Sequence, residues 1–153
     1  LSADQIAAGI ASARPVSGRS RVIQAGDLVV IDDCYNANPV STKAAIDLLC
    51  LAEGRKVAVL GDMFELGENE EELHAQVGRH AAQRGVDCLI CAGTLSRWTA
   101  RGAKEAGLKQ VFHFESRGEL IGALPGLLLP GDSVLVKASH SMGFEEIVEN
   151  LLR

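Results

Sequence analysis

Val29-Val30-Ile31-Asp32-Asp33-Cys34-Tyr35-Asn36-Ala37-Asn38-Pro39 is the stretch whose reading decides the fold. Three β-branched residues run into two carboxylates, a thiol, an aromatic ring and two amides, and a helix start follows at once. Asn38 suits the N-cap, and Pro39 suits the first helical position, where no N–H is needed. The polar side chains therefore lie between the carboxyl end of a strand and the positive end of a helix, the crevice in which open α/β sheets bind ligands. Neighbouring strand residues point to opposite faces, so only one of Asp32 and Asp33 need face that crevice.

The pattern alternates on either side of this run. Upstream, Arg21 to Gln24 and Leu28 to Ile31 flank Ala25-Gly26-Asp27 and predict a hairpin. Downstream, a helix from Pro39 to about Glu53 is closed by Gly54, and the strand Lys56 to Leu60 follows. A second helix is capped by Asn69-Glu70-Glu71-Glu72, carries the apolar stripe Leu73, Val77 and Ala81, and stops at Gly85 before a strand from Val86 to Cys91. Helices near Ser96 to Ala106, Arg117 to Leu124 and Phe144 to Leu152 then alternate with strands Gln110 to Phe114 and Ser133 to Lys137. Repeated strand–helix–strand units predict an α/β fold, a Rossmann-like, doubly wound and mostly parallel sheet with one antiparallel strand. Ser2-Ala3-Asp4-Gln5 has capping-box spacing before Ile6 and Ile10, which predicts a short helix over 3–13; Arg14 to Ser20 reads as a connector. Residues 1–18 are thus an appendage, and 19–153 form the main domain.

With 153 residues, 47% of them hydrophobic, the chain has material for one well-buried domain. A net charge of −5 without a basic run argues against a nucleic-acid surface. Apolar stretches are strand-sized, no membrane span or signal peptide is expected, and four thiols without a secreted pattern fit a cytoplasmic location. Cys88-Leu89-Ile90-Cys91 spells C-x-x-C, but residues three apart on a strand face opposite ways and cannot chelate one ion, so no metal site is expected. The first residue, Leu1, is not a natural start, so a piece of something longer is expected.

Loops after the strands share one edge of such a sheet: Asp32 to Asn38, Gly61 to Gly67, Ala92 to Arg97, Glu115 with Ser116, and Ala138 to Gly143. The chain contains neither G-x-x-x-x-G-K-[ST] nor G-x-G-x-x-G, so no triphosphate cradle or dinucleotide fingerprint is present. Asp32 and Asp33 suit a ribose hydroxyl, a metal-bound water or a cation, or else are a solvated cluster favoured by the helix dipole. Tyr35 can stack on a planar ring or wedge between layers, and Asn36 can read a base edge or close an Asx turn. Lys137-Ala138-Ser139-His140-Ser141 offers a cation, hydroxyls and an imidazole, suited to a phosphate or carboxylate or to a polar loop with a snorkelling Lys. A Ser–His hydrolase is rejected, because no G-x-S-x-G elbow is present. His74 reads as an exposed helix residue.

Three ordered motifs carry a resemblance: Asp32 to Ser41; Val59 to Gly67 with His74 and Val77-Gly78; and Val134 to Ser139 followed by Glu145-Glu146. Together they resemble the C-terminal domain of the Mur ligase family, in the branch that adds D-alanyl-D-alanine to UDP-N-acetylmuramoyl-tripeptide in peptidoglycan synthesis. Ser17-Gly18-Arg19 is similar to the family's junction with its central domain. The resemblance implies an ATP- and Mg²⁺-dependent amide ligase acting through an acyl phosphate. Its partners are an N-terminal domain for the UDP-sugar and a central domain carrying the phosphate loop, a carbamylated lysine and the metal. The isolated domain is then expected to be inactive.

On that resemblance Arg19, Asp33, Tyr35, Asn36 and Asn38 fall on the nucleotide side, while Lys137, Ser139 and His140 fall on the D-alanyl-D-alanine side; none is an acid or base of bond formation. The chain departs from the family at Cys34, where Ser is usual, at Ala138-Ser139-His140 for Gly-Ser-Arg, and at Phe144 for Met. Two alternatives remain at this point: a free-standing Rossmann-like module for a nucleotide or small anion, and the equivalent domain of another Mur ligase or of folylpolyglutamate synthetase. The Tyr35 to Asn38 loop and the Gly61-Asp62-Met63 turn favour the D-alanyl-D-alanine branch.

Overall fold

A computed structural model describes residues 20–153 together with Ser2, Asp4 and Gln5. The helix expected over 3–13 is described only at Asp4 and Gln5, and the connector, Arg19 included, lies outside the described residues. The capping box is in place: the Gln5 N–H reaches Ser2 Oγ at 3.2 Å, and the Ser2 N–H reaches Gln5 Oε1 at 2.8 Å.

From Ser20 onward, strands β1 (Arg21–Ala25), β2 (Leu28–Asp32), β3 (Lys56–Leu60), β4 (Cys88–Ala92), β5 (Gln110–Phe114) and β6 (Ser133–Lys137) form one sheet in the order β1-β2-β6-β3-β4-β5. The β1–β2 hairpin is antiparallel, and every other pairing is parallel. The register sets Asp32 beside Val136 and Leu60 beside Lys137, so the loops after β2, β6 and β3 leave the sheet side by side. The last strand in sequence thus occupies a central place.

Between the strands run α1 (Pro39–Leu49), α2 (Glu70–Arg84), α3 (Ser96–Glu105), α4 (Arg117–Leu127) and, after β6, α5 (Glu145–Leu151). Strict alternation divides the core. Ile31, Ala58, Leu60, Leu89, Cys91 and Leu135 face Ile46 and Leu49 of α1, Val77 and Ala81 of α2, and Ala103 of α3. Val30, Val57, Val59, Cys88, Ile90, Val134 and Val136 face Leu120 and Leu124 of α4 and Ile147 of α5. Each buried Val, Leu or Ile among them contributes about 1.5–3 kcal/mol. Cys88 and Cys91 lie on opposite faces, as a strand requires, and all four cysteines are free.

Helix ends follow local chemistry. α1 begins at the cap expected, but it stops at Leu49 rather than Glu53, and Gly54, at φ +80°, completes the turn into β3. α2 differs at its start: the Asn69 side chain makes no capping bond, and a 3₁₀ turn over Gly67–Asn69 feeds the helix instead. Its apolar face is His74, Ala75, Val77, Gly78 and Ala81, with Leu73 only half-buried. The α2–α3 contact is backbone against backbone, since a Cβ on Gly78 would stand 1.9 Å from Thr99 O and one on Gly102 would stand 2.1 Å from Ala75 O.

At the amino ends of the strands Arg55 fastens the sheet. Its guanidinium holds Asp132 through two bonds, at 3.0 and 2.8 Å, and also donates to Leu127 O at 2.7 Å. A planar fork on a buried carboxylate is the strong form of ion pair.

Candidate nucleotide and substrate edge

Asp33 extends the β2–β6 ladder by one bond, its N–H donating to Val136 O at 3.0 Å, and this turns its side chain into the crevice. There Oδ2 accepts from Lys137 Nζ at 2.8 Å, and Oδ1 accepts from the Ser20 N–H at 3.2 Å. The same Lys137 ammonium donates to Asn36 O at 2.8 Å. Only 3% of the Lys137 side chain and 8% of the Asp33 side chain remain exposed, so water screens the pair little. Asp32 points the other way and pairs with Arg21, its cross-strand partner, at 3.1 Å. The division of labour between the two acids is the one expected from strand alternation.

Ser20, Asn36, Asn38, Ser41 and Leu48 wall a cleft of about 300 Å³ over Asp33 and Lys137. Ser20 has φ +48°, a left-handed backbone that a residue with a Cβ adopts only under constraint. Asn38 serves the helix: its Oδ1 accepts the Ser41 N–H at 2.8 Å, and Ser41 Oγ accepts the Asn38 N–H at 3.2 Å. Tyr35 and Asn36 are exposed at the rim, and the Tyr35 ring lies 5.8 Å from that of His140. Cys34 is buried behind them, where desolvation and the Asp32 carboxylate push its thiol far above the usual range, so it is no nucleophile.

The Gly61–Gly67 loop is built by residues whose roles the sequence did not disclose. Asp62 is buried, and its carboxylate accepts the Ser96 N–H at 2.7 Å and the Thr94 N–H at 3.1 Å, placing an anion at the amino end of α3. Gly93 is required opposite it, because a Cβ there would meet Asp62 Oδ1 at 2.4 Å. His74 corrects the expectation of an exposed residue: it is fully buried. Its Nε2 accepts the Met63 N–H at 2.9 Å while Nδ1 donates to Glu70 O at 2.6 Å. The first turn of α2 folds back onto the preceding loop, so the face that looked solvent-directed is covered.

Ser139 stitches the β6 loop to this one. Its N–H donates to Asp62 O at 3.0 Å, and its hydroxyl oxygen accepts the Phe64 N–H at 2.9 Å. Gly61 allows the close approach, since a Cβ there would stand 2.7 Å from both Ala138 Cβ and the Phe144 ring. His140 turns outward, 72% exposed, with Nδ1 3.5 Å from Glu145 Oε1. Arg117, at the start of α4, clamps the loop by donating to Met142 O at 2.9 Å and pairing with Glu146 at 2.7 Å. No sequence signal pointed to Arg117, because its partners are carbonyls twenty-five residues away.

Of the residues singled out in the sequence, the structure joins Asp33, Asn36 and Lys137 in one cluster and brings Tyr35 against His140. It leaves Asn38 capping α1 and Ser139 buried between loops. The arrangement can hold and orient ligands; the Ser139 hydroxyl and the His140 ring are turned to different partners. Among the described residues no three of His, Cys, Asp or Glu stand together as a metal ion needs. No described helix is long and apolar enough to cross a membrane.

The family model for the Mur ligase, glutamate ligase domain matches residues 18–140. The chain is 39% identical to the UDP-N-acetylmuramoyl-tripeptide–D-alanyl-D-alanine ligase of Escherichia coli over 97% of its own length and 32% of that protein. It is 35% identical to the enzyme of the same name from Bacillus subtilis, over 99% of its length and 34% of that protein. A MurF crystal structure from Acinetobacter baumannii superposes with a TM-score of 0.82 at 30% identity, covering 91% of this chain and 30% of that one. MurF from Thermotoga maritima in complex with ADP superposes at 0.76 and 27% identity, over 90% of this chain and 31% of that one. The chain therefore spans about a third of the length of these relatives. With a family model matching residues 18–140 and a fold shared with these solved MurF structures, the chain belongs to the Mur ligase family as its C-terminal domain.

Proposed function

We propose that this domain is the closing third of an ATP-dependent ligase that joins D-alanyl-D-alanine to UDP-N-acetylmuramoyl-tripeptide in the cytoplasm. The observation that carries the reading is the Asp33 cleft: a polar pocket of about 300 Å³ at the carboxyl edge of the sheet, in a chain without a phosphate-binding loop. Such a cleft is half a nucleotide site. Asp33 accepts hydrogen bonds, Asn36 presents a side-chain amide at the rim and Tyr35 offers a ring face, which together suit a nucleoside's hydroxyls and base. Asn38 shapes the wall by capping α1, and Arg19, outside the described residues, is assigned to the nucleotide phosphates.

ATP supplies the phosphoryl group that activates the tripeptide carboxylate, and its phosphates and Mg²⁺ are assigned to the preceding central domain. The described residues offer no metal cluster for that ion. The β6 loop, with Ser139 setting its path and His140 at its tip, is assigned to the side from which the dipeptide arrives. The domain's contribution is positioning, which is worth several kcal/mol when two substrates must meet. The ADP complex of the Thermotoga relative supports a nucleotide in this family.

The test is ligation by the complete protein. ATP hydrolysis should depend on both UDP-N-acetylmuramoyl-tripeptide and D-alanyl-D-alanine, and Asp33→Ala should lower kcat/KM at least 100-fold, measured below its melting transition, which falls because Lys137 loses its buried partner. Dependence on a different amino acid or on folate would overturn the substrate assignment, and unchanged kinetics would remove Asp33 from the site.

A further inference from the structure

Lys137 and Asp33 come from strands that adjoin in the sheet but lie 104 residues apart in sequence. By the resemblance alone Lys137 would face the carboxylate of an incoming dipeptide. Its ammonium is instead sunk beneath the other loop, with one bond to Asp33 Oδ2 and one to Asn36 O, each 2.8 Å. We propose that Lys137 is a positioning residue for the nucleotide side. It is a fixed counter-ion that holds Asp33 and the Tyr35–Asn36 turn in their binding geometry, and it is not a ligand for the dipeptide.

Three observations support this. Both side chains are almost wholly buried, so a lysine drawn away toward a ligand would leave Asp33 as an uncompensated buried charge. Asn36 O has its acceptor role filled by Lys137, which ties the turn bearing Tyr35 to β6. Asp33 in turn holds the N–H of Ser20, a residue with left-handed backbone, so the pair also fixes the backbone at Ser20. A compact ammonium with rotatable donors suits the two divergent acceptors, Asp33 Oδ2 and Asn36 O, where the planar fork of Arg would not.

The inference rests on the ligase reading for its kinetic arm and stands apart from it in its exchange arm. In the complete enzyme, K137M, D33N and D33N/K137M are compared for the KM of ATP and of D-alanyl-D-alanine. K137M should raise the KM for ATP at least tenfold and leave that for the dipeptide within twofold. The double variant should be no worse than the worse single one. A raised dipeptide KM with ATP unaffected, or single effects that multiply, would overturn the proposal. Where K137M melts too low to assay, K137R keeps the charge and is held to the same split between the two KM values. Independently of substrate, hydrogen exchange at the Ser20 amide should quicken at least tenfold in K137M or K137R, and an unchanged rate would overturn the proposal. If the wild-type enzyme fails to ligate D-alanyl-D-alanine, the functional reading falls while the exchange result still judges the pair.

Discussion

Asp62 holds the amino end of α3 from another loop, its carboxylate taking the Ser96 N–H at 2.7 Å and the Thr94 N–H at 3.1 Å. Both bonds go to a carboxylate, and Asp62 is 3% exposed. Asp62→Ala strands the buried Ser96 donor and frees the part-buried Thr94 donor, and should cost roughly 1–3 kcal/mol in urea denaturation. Asp62→Asn retains one acceptor and should lose less.

Gly78 and Gly102 let α2 and α3 meet without side chains between them. A methyl on either would fall about 2 Å from a backbone oxygen of the other helix, Thr99 O or Ala75 O. Gly78→Ala and Gly102→Ala should each destabilise by about 3 kcal/mol or more, since backbone rather than a flexible side chain must move. Ala at an open helical glycine, Gly122, has nothing within 4 Å and serves as the control that should stabilise or be neutral. Melting temperatures of the three variants give the comparison.

His74 has a local effect that hydrogen exchange can read. Its Nε2 is the acceptor for the Met63 N–H. His74→Phe fills the space and removes that acceptor, leaving a buried donor at a cost of about 1–3 kcal/mol. Exchange at the Met63 amide should accelerate by more than the global loss explains; equal acceleration across the domain would mean that the loop does not depend on the imidazole.

Alkaline stability should depend on the thiols. Burial raises the Cys88 thiol to about 11 and raises Cys91 and Cys34 further. The folded chain therefore keeps protons that the unfolded chain releases, starting near the ordinary value of 9.0. The stabilising effect of burying the neutral thiol is complete below pH 9 and is lost as the pH climbs through the folded value. At pH 10.5 each strongly raised thiol should lower stability by roughly 2 kcal/mol relative to pH 8. Cys91→Ala should flatten the decline between those two pH values, measured by urea denaturation at each.

Alternation, caps and glycine stops made the sheet readable, and strands β3, β5 and β6 fall where the pattern put them. Asp32 and Asp33 were separable because strand geometry alone sends them to opposite faces. The chemistry of the cleft was less legible. Asp33 and Lys137 are joined by tertiary register, which no local window contains. His74 misled because helical periodicity describes a helix against a core, whereas here the covering element is the loop just before it. Asp62 looked like a turn acid since its targets, Thr94 and Ser96, lie beyond the next strand. Arg19 falls outside the described residues, so its place beside the cleft rests on resemblance.

The central position of β6 has a consequence for biosynthesis. Strands β2 and β3 never touch; β6 fills the gap between them, and the Asp33–Lys137 bond forms only across it. Until Lys137 has been translated, the nascent chain carries two incomplete half-sheets with apolar inner edges, open to pairing with another chain. Folding of this domain is thus a late event tied to its final strand. A product truncated before Ser133 would be a client for chaperones rather than a weakened binder.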